Sequence, residues 1–429
     1  MLDIKFIREN PLLVKEAARK KHIVFDVEKL LDIDTRRREC LREVEILRAE
    51  LNAASDAIGA IQDGEEKKRA IKNTKELKST LQEKEKELTD IVVQFEQMMY
   101  GVPNIPDPSV PEGETDAENR EIRVGGVKPE FSFEPRDHMM ILENLDLADF
   151  ERGAKVAGFR GYFLKNEAVF LSLGLWQYAL SFLSQKGFVP LFAPALARES
   201  NFVGTGYFPL GVDDVYKTQD DLYFVGTSEV SVMGMFQNEI FEEDSLPLKF
   251  VAFSPCFRRE AGAYGKDTKG LYRVHEFMKV EQVVFCRADH QDSVRLHEEL
   301  NQNAEEIMQA LGLYYRVVAN CGGDLGLGQV KKYDIEAWLP SRQIFGETHS
   351  ASYFHDFQTR RLNIRYRDKE GTLRFIHSLN ATAVATPRLL MSLLEQFPRE
   401  DGSVLVPKVL ESYVGKSLLQ KNNAAFGKN

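Results

Sequence analysis

Between Leu30 and Met99 the chain has no proline and only two glycines, Gly59 and Gly64, and its apolar residues recur at alternating spacings of three and four. One series runs Cys40, Val44, Leu47, Leu51, Ala54, Ile58, Ile61. After Asp63-Gly64 a second runs Ala70, Thr74, Leu77, Leu81, Lys84, Leu88, Ile91, Phe95, Met98, with Lys84 its one interruption. A stripe of this period covers one helical face and needs a second stripe against it, so two such helices joined by a glycine-containing turn predict an antiparallel hairpin. At 1.5 Å per residue, arms of roughly 35 residues extend on the order of 50 Å. Residues 27–100 carry 14 Lys+Arg against 17 Asp+Glu. The bases cluster, with Arg36, Arg37, Arg38, Arg42 and Arg48 on the first helix and Lys67, Lys68, Arg69, Lys72, Lys75 and Lys78 on the second. On these residues alone the face is a solvated coiled-coil surface, with a nucleic-acid groove as the alternative.

A break follows, with Pro103, Pro106, Pro108 and Pro111 and then the acidic run Glu112–Glu121. It divides an N-terminal helical domain, 1–102, from a globular one, 131–429, with 103–130 read as a linker. In the globular part, short β-branched and aromatic runs (Leu248–Val251, Val280–Phe285, Tyr315–Ala319, Ile335–Leu339) alternate with longer helical patterns and no regular βαβ period. The expected class is α+β on an antiparallel sheet. A chain of 429 residues with a formal charge of −10 excludes a blanket polycation for nucleic acid. Four widely spaced cysteines (Cys40, Cys256, Cys286, Cys321) with no CxxC argue against structural zinc and a disulfide framework, and for a reducing compartment. The charged N-terminus is no signal peptide, and the uncharged stretch Ala168–Gln185 is polar enough to read as a core-facing helix rather than a membrane span.

Common nucleotide signatures are missing. Tyr413–Ser417 copies the end of a phosphate loop, but Leu410 stands where its first glycine is required. Gly322–Gly328 is glycine-rich without GxGxxG spacing and reads as a tight turn. The richer segment is Phe253–Glu260, a polar glycine-containing stretch to Gly270, and a return through Tyr272–Glu281. Strand, loop and strand bring together Arg258, Glu260, Arg273, Phe277 and Glu281. An arginine grips phosphate bidentately, a carboxylate accepts from an amine and an aromatic face stacks a purine. A salt-bridged surface hairpin is the equal alternative.

The string CFRREAGAYGKDTKGLYRVHEFMKVEQ resembles motif 2 of class II aminoacyl-tRNA synthetases, and that of the seryl-tRNA synthetases in particular. Other blocks agree in order: MLDIKFIRENP with the helical hairpin, Asp137-His138 with DFERGAKVAGFRGYFL, Gly187 to Pro194 as motif 1, Gly226-Thr227-Ser228-Glu229 as the TxE loop, DLGLGQVKKYDIEAWLP, DFQTRRLNIRYR, and LNATAVATPRLL as motif 3 around Arg388. The resemblance spans essentially the whole chain. It implies a cytoplasmic homodimer that activates L-serine with ATP and Mg²⁺ to seryl-adenylate, then transfers serine to the 3′-terminal adenosine of tRNA(Ser), with tRNA(Sec) as a second candidate acceptor.

By the same resemblance, Arg258 holds the α-phosphate and Arg388 the γ-phosphate of ATP, Phe277 stacks on adenine, and Glu260 fixes its amino group. Arg259, Val274, Thr348 and His349 complete the expected ATP site, and Glu347 with Ser350 forms the Mg²⁺ pair. Thr227, Ser228 and Glu229 are expected around the serine ammonium, with Arg258, Glu281, Asn380 and Thr382 closing that pocket. Arg36, Arg37, Arg38, Lys72 and Lys75 are the expected tRNA contacts. The chain departs from the family pattern at His349, Tyr353, Met278 and Ala381. Two other readings are a relative that loads a carrier protein, which the long arm disfavours, and a catalytically dead nucleic-acid binder, which the intact Arg258, Glu260, Glu281, Glu347 and Arg388 disfavour.

Overall fold

The computed structural model describes residues 1–262 and 270–421. The chain divides into two compact units, one of Leu2–Arg19 with Ile23–Pro103, the other of Met1, Lys20–His22 and the chain from Asn104. In the first unit the hairpin forms as the heptads require: α1 (Val27–Ile58) has 32 residues and α2 (Gly64–Tyr100) has 37. Asp63 is not in the middle of the turn but caps α2, its carboxylate accepting from the amides of Glu65 and Glu66 at 2.9 and 2.8 Å. Ile33, Cys40 and Ile91 are buried against Leu88, Phe95 and Met98. Lys84, the break in the second heptad series, reaches Glu43 of α1 at 2.8 Å and Glu87 at 2.9 Å, replacing an apolar contact by an ion pair across the seam.

The second unit is built on an eight-stranded sheet. In chain order its elements are β1 (Arg120–Gly125), α3 (Glu167–Gln185), β2 (Val189–Phe192), α4 (Glu229–Met235), β3 (Leu248–Phe257), β4 (Glu276–Cys286), α5 (His290–Ala310), β5 (Tyr315–Ala319), β6 (Lys331–Leu339), β7 (Ile344–His355), β8 (His377–Ala385) and α6 (Thr386–Gln396). The order across the sheet is β1-β5-β6-β7-β8-β4-β3-β2, antiparallel throughout except where β2 runs parallel to β3. The segment 103–130, expected as a linker, supplies β1, whose Arg120 pairs with Ala319. The uncharged stretch from Ala168 is α3, and among the described residues no helix is long and apolar enough to cross a membrane.

Side-chain alternation gives the sheet two distinct faces. Val280 and Val284 of β4 join the core that includes Leu171 and Leu175 of α3 and Leu296, Leu300 and Ile307 of α5. Val283 and Phe285 point the other way, into a smaller cluster with Val232 and Met233 of α4. Phe277, Lys279 and Glu281 follow the same odd alternation as Val283, so they lie on the face that α5 leaves open.

Candidate active site

β3 and β4 set the frame. Their register opposes Cys256 to Phe277, Ser254 to Lys279 and Ala252 to Glu281. Each long functional side chain therefore stands beside a small, buried partner that leaves space over the sheet. β8 continues the row, with Thr382 directly opposite Glu281.

β7 carries the expected metal pair through an irregularity. Residues three apart in a regular strand face opposite ways. Here Ile335 pairs with His349 but Glu336 pairs with Glu347, so Thr348 is an extra, bulged residue. The bulge turns Glu347 and Ser350 to one side, and both line the same cleft. His349 is left on the helix-covered face. Its ring is buried, Nε2–H donates to the Ala383 carbonyl at 3.0 Å, and Nδ1 accepts from the Thr348 hydroxyl at 2.8 Å. Burial pushes its pKa down to about 4, so the ring is neutral. Its ring packs within the protein and lines neither the cleft nor the cavity that adjoins it.

The cleft is lined by Arg258, Glu260, Val274, Phe277, Glu347, Thr348, Ser350, Thr382 and Arg388, together with Tyr272, Arg273 and Lys279. Arg388 lies in the first turn of α6. Its guanidinium is 3.1 Å from the Glu347 carboxylate, donates to the Glu347 and Tyr272 carbonyls at 3.1 and 3.2 Å, and sits 4.6 Å from the Tyr272 ring centroid. Desolvation alone would raise the Glu347 pKa, but Arg388, Lys332 and Arg258 hold it down at about 2. The carboxylate is ionised at any working pH. Arg258 lies 5.5 Å from the Phe277 ring centroid and donates to the Gly226 carbonyl at 3.4 Å. Glu260, at a positive φ of 55°, is ion-paired with Arg273 at 2.5 Å.

A second cavity adjoins the first and is lined by Tyr207, Glu229, Glu281, Ser352 and Asn380, with Arg258, Lys279 and Ser350 common to both. Two buried carboxylates meet here. Burial is the main cause that lifts Glu229 to about 7, and the neighbouring Glu281 adds to it, against hydrogen bonds from Gln358 at 2.6 Å and Tyr207 at 3.1 Å. Glu281 is also shifted up by burial, opposed by the Lys279 ammonium 2.5 Å away. Lys279 donates to the Thr227 hydroxyl at 3.3 Å as well. A site of this kind, two acids with one internal cation, suits an incoming ammonium that takes over part of the lysine's role.

Thr227 meets the site through Lys279 without lining either cavity, and three other expected residues are not brought in. Ser228 is fully buried and donates to the Ala252 carbonyl at 3.3 Å, away from both cavities. Arg259 is exposed and donates to the Asp213 carbonyl at 3.0 Å, because it follows Arg258 on the alternate side of the chain. His349 is the third. Residues 263–269 of the motif 2 string lie outside the described residues. Lys279 was missed in the sequence, although its spacing of two from both Phe277 and Glu281 puts it on their face. On the arm, Arg36, Lys72 and Lys75 are exposed. Arg37 is instead drawn inward, 2.8 Å from the buried Asp34 and 4.6 Å from the Phe95 ring centroid, and Arg38 is 3.3 Å from the same aspartate. Among the described residues no group of three or more His, Cys, Asp or Glu is placed to hold a metal ion.

The seryl-tRNA synthetase N-terminal domain family model matches residues 1–106. The tRNA synthetase class II core domain (G, H, P, S and T) matches residues 214–397. The serine–tRNA ligase of Deinococcus radiodurans is 45% identical over 416 residues, 97% of this chain and 98% of that one. That of Rubrobacter xylanophilus is 42% identical, over 98% and 99% of the two chains. The crystal structure of seryl-tRNA synthetase from Pyrococcus horikoshii complexed with ATP matches with a TM-score of 0.91 at 40% identity, covering 99% of this chain and 100% of that one. With two helical arms ahead of a sheet-based class II core, and likeness over its whole length, the chain belongs to the seryl-tRNA synthetase family and is an ATP-dependent serine–tRNA ligase.

Proposed function

We propose that the cleft takes ATP and the adjoining cavity takes serine, so that the serine carboxylate meets the α-phosphate between Arg258, Lys279 and Ser350. The observation that carries this reading is that these three residues line both spaces. In the first step a serine carboxylate oxygen attacks the α-phosphorus and the bond to pyrophosphate breaks. Arg258 neutralises the negative charge that builds there, and Arg388 holds the γ-phosphate end, fixed meanwhile by Glu347. Phe277 offers its ring to adenine. Glu229 and Thr227 receive the serine ammonium, while Glu281, Asn380 and Thr382 recognise the hydroxyl. A pocket with fixed polar partners rejects alanine, which would leave them unpaired. In the second step the 3′-terminal adenosine hydroxyl of the tRNA attacks the seryl carbonyl and AMP leaves.

Glu347 and Ser350 fit Mg²⁺: one is an ionised carboxylate, the other a hydroxyl, both hard oxygen donors on one face. When bound, the ion supplies neutralisation of phosphate charge. For the acceptor we assign the arm, whose exposed Arg36, Lys72 and Lys75 suit phosphate contacts to tRNA(Ser), and tRNA(Sec) is a second acceptor to assay beside it. The assembly we propose is a cytoplasmic homodimer. Edge strand β2 exposes Val189 and Phe192, 52% and 78% accessible, an unpaired apolar edge of the kind a second copy covers. The four cysteines, free and buried, suit a reducing compartment.

The test is serine-dependent ATP–pyrophosphate exchange. It is expected to require serine, ATP and Mg²⁺, and Glu281→Ala is expected to raise KM for serine far more than KM for ATP. Equal losses for the two substrates would sink the assignment of the second cavity to serine.

A further inference from the structure

The glycine-rich run that reads as a tight turn ends as a wall of the second cavity, which Gly326, Leu327, Gly328 and Gln329 all line. Glycine-rich backbone is conformationally permissive and does not hold a shape unaided. Two side chains from outside the run hold this one. Lys21, 3% exposed, donates from Nζ to the carbonyls of Gly326 at 3.1 Å, Leu327 at 2.9 Å and Gln329 at 2.6 Å. The remaining carbonyl, of Gly328, accepts from Asn104 Nδ2 at 3.0 Å, and the same amide donates to the Phe354 carbonyl at 2.8 Å, on another cavity residue.

Four successive carbonyls are thus pinned from behind. Gln329 closes the loop on the cavity side, accepting from the Gly326 amide at 2.6 Å and donating to the Ser352 hydroxyl at 2.8 Å. Among the described residues no carboxylate is ion-paired with Lys21, so a desolvated ammonium is compensated by carbonyls alone. Burial lowers its pKa well below the ordinary lysine value. The approach from behind is close: a Cβ on Gly322 would lie 2.0 Å from the Lys20 carbonyl oxygen.

We propose that Lys21, assisted by Asn104, is a positioning residue for amino-acid selection. It fixes the wall against which the substrate side chain is measured, so that a hydroxymethyl group fits and a branched hydroxy amino acid such as threonine does not. This rests on the second cavity being the serine site. The full-length Lys21→Met, Lys21→Arg and Asn104→Ala variants, with Glu281→Ala as reference, are compared in serine- and threonine-dependent exchange. Lys21→Met is expected to raise KM for serine about tenfold with KM for ATP unchanged, and to raise threonine-dependent relative to serine-dependent exchange. Lys21→Arg recovers part of the loss, and Asn104→Ala moves the same way by less, which decides the matter if Lys21→Met does not fold. Equal rises in both KM values would make Lys21 a merely structural residue and overturn the proposal. An unchanged serine KM in the Lys21 and Asn104 variants, with a raised one in Glu281→Ala, would overturn it while keeping the cavity assignment. No change in any of them would overturn the cavity assignment itself.

Discussion

Glu229 has its proton equilibrium inside the working pH range. With its pKa lifted to about 7, a large share of the free enzyme carries it protonated at neutral pH. Only the carboxylate can pair with the serine ammonium, so binding releases a proton. We predict that kcat/KM for serine in the exchange reaction rises with pH through about 7 and then levels, and that Glu229→Gln lowers it and removes the step. Stability runs the other way. An acid with a raised folded-state pKa stabilises fully below its unfolded value of 4.5, and that contribution is lost as pH rises through about 7. A second prediction concerns the arginines: Arg258→Ala and Arg388→Ala each abolish exchange with the fold intact, a loss on the order of 3 kcal/mol or more in transition-state stabilisation. Near-normal exchange in either variant, with circular dichroism unchanged, would refute its role. Phe277, Glu281 and Arg388, singled out by the long motifs around them, do line the two cavities. The place of His349 was not legible in the sequence, since which face it takes depends on the one-residue bulge at Thr348, a non-local feature of strand pairing. Of the departures from the family pattern, His349 is accounted for by its two ring hydrogen bonds and Tyr353 by donating to Asp107 at 2.8 Å.

The elements show where local pattern suffices and where it does not. The heptads state the arm outright, because each helix is specified by contacts a few residues apart and by one facing stripe. Even the interruption at Lys84 is met one turn away by Glu87 and across the seam by Glu43. Strand β1 was hidden inside a proline-rich, acidic segment because its pairing partner, β5, lies far along the chain. Charge clustering does not show which bases are engaged inside the arm, as Arg37 and Arg38 are with Asp34. Arg37 looks like Arg36 in sequence, yet it is one of the bases around Asp34, whose side chain is wholly buried. Taking away a partner of a buried carboxylate costs about 1–3 kcal/mol, whereas an exposed arginine costs little. Arg37→Ala is therefore expected to speed hydrogen exchange of the α1 and α2 amides, and Arg36→Ala to leave it unchanged while weakening tRNA binding. Equal protection in the two variants would rule out this structural role for Arg37.

At the scale of the molecule, chemistry and acceptor recognition are assigned to different units. Both cavities are lined wholly by residues of the unit that begins again at Asn104, and the basic cluster lies on the hairpin. Length, charge and the proline break made a two-part chain legible; which residues of the second part share a cavity required the sheet register. Replacing residues 30–98 by a short linker leaves Lys20–His22 and every cavity residue in place. The direct measurement is that variant's serine-dependent pyrophosphate exchange beside its tRNA charging at physiological salt. Phosphate contacts supply affinity that falls steeply with salt, so exchange is expected at the rate of the intact chain and charging is expected to be lost. Charging at the full rate would reduce the arm to a spacer, and loss of exchange along with charging would contradict the assignment of activation to the sheet unit alone.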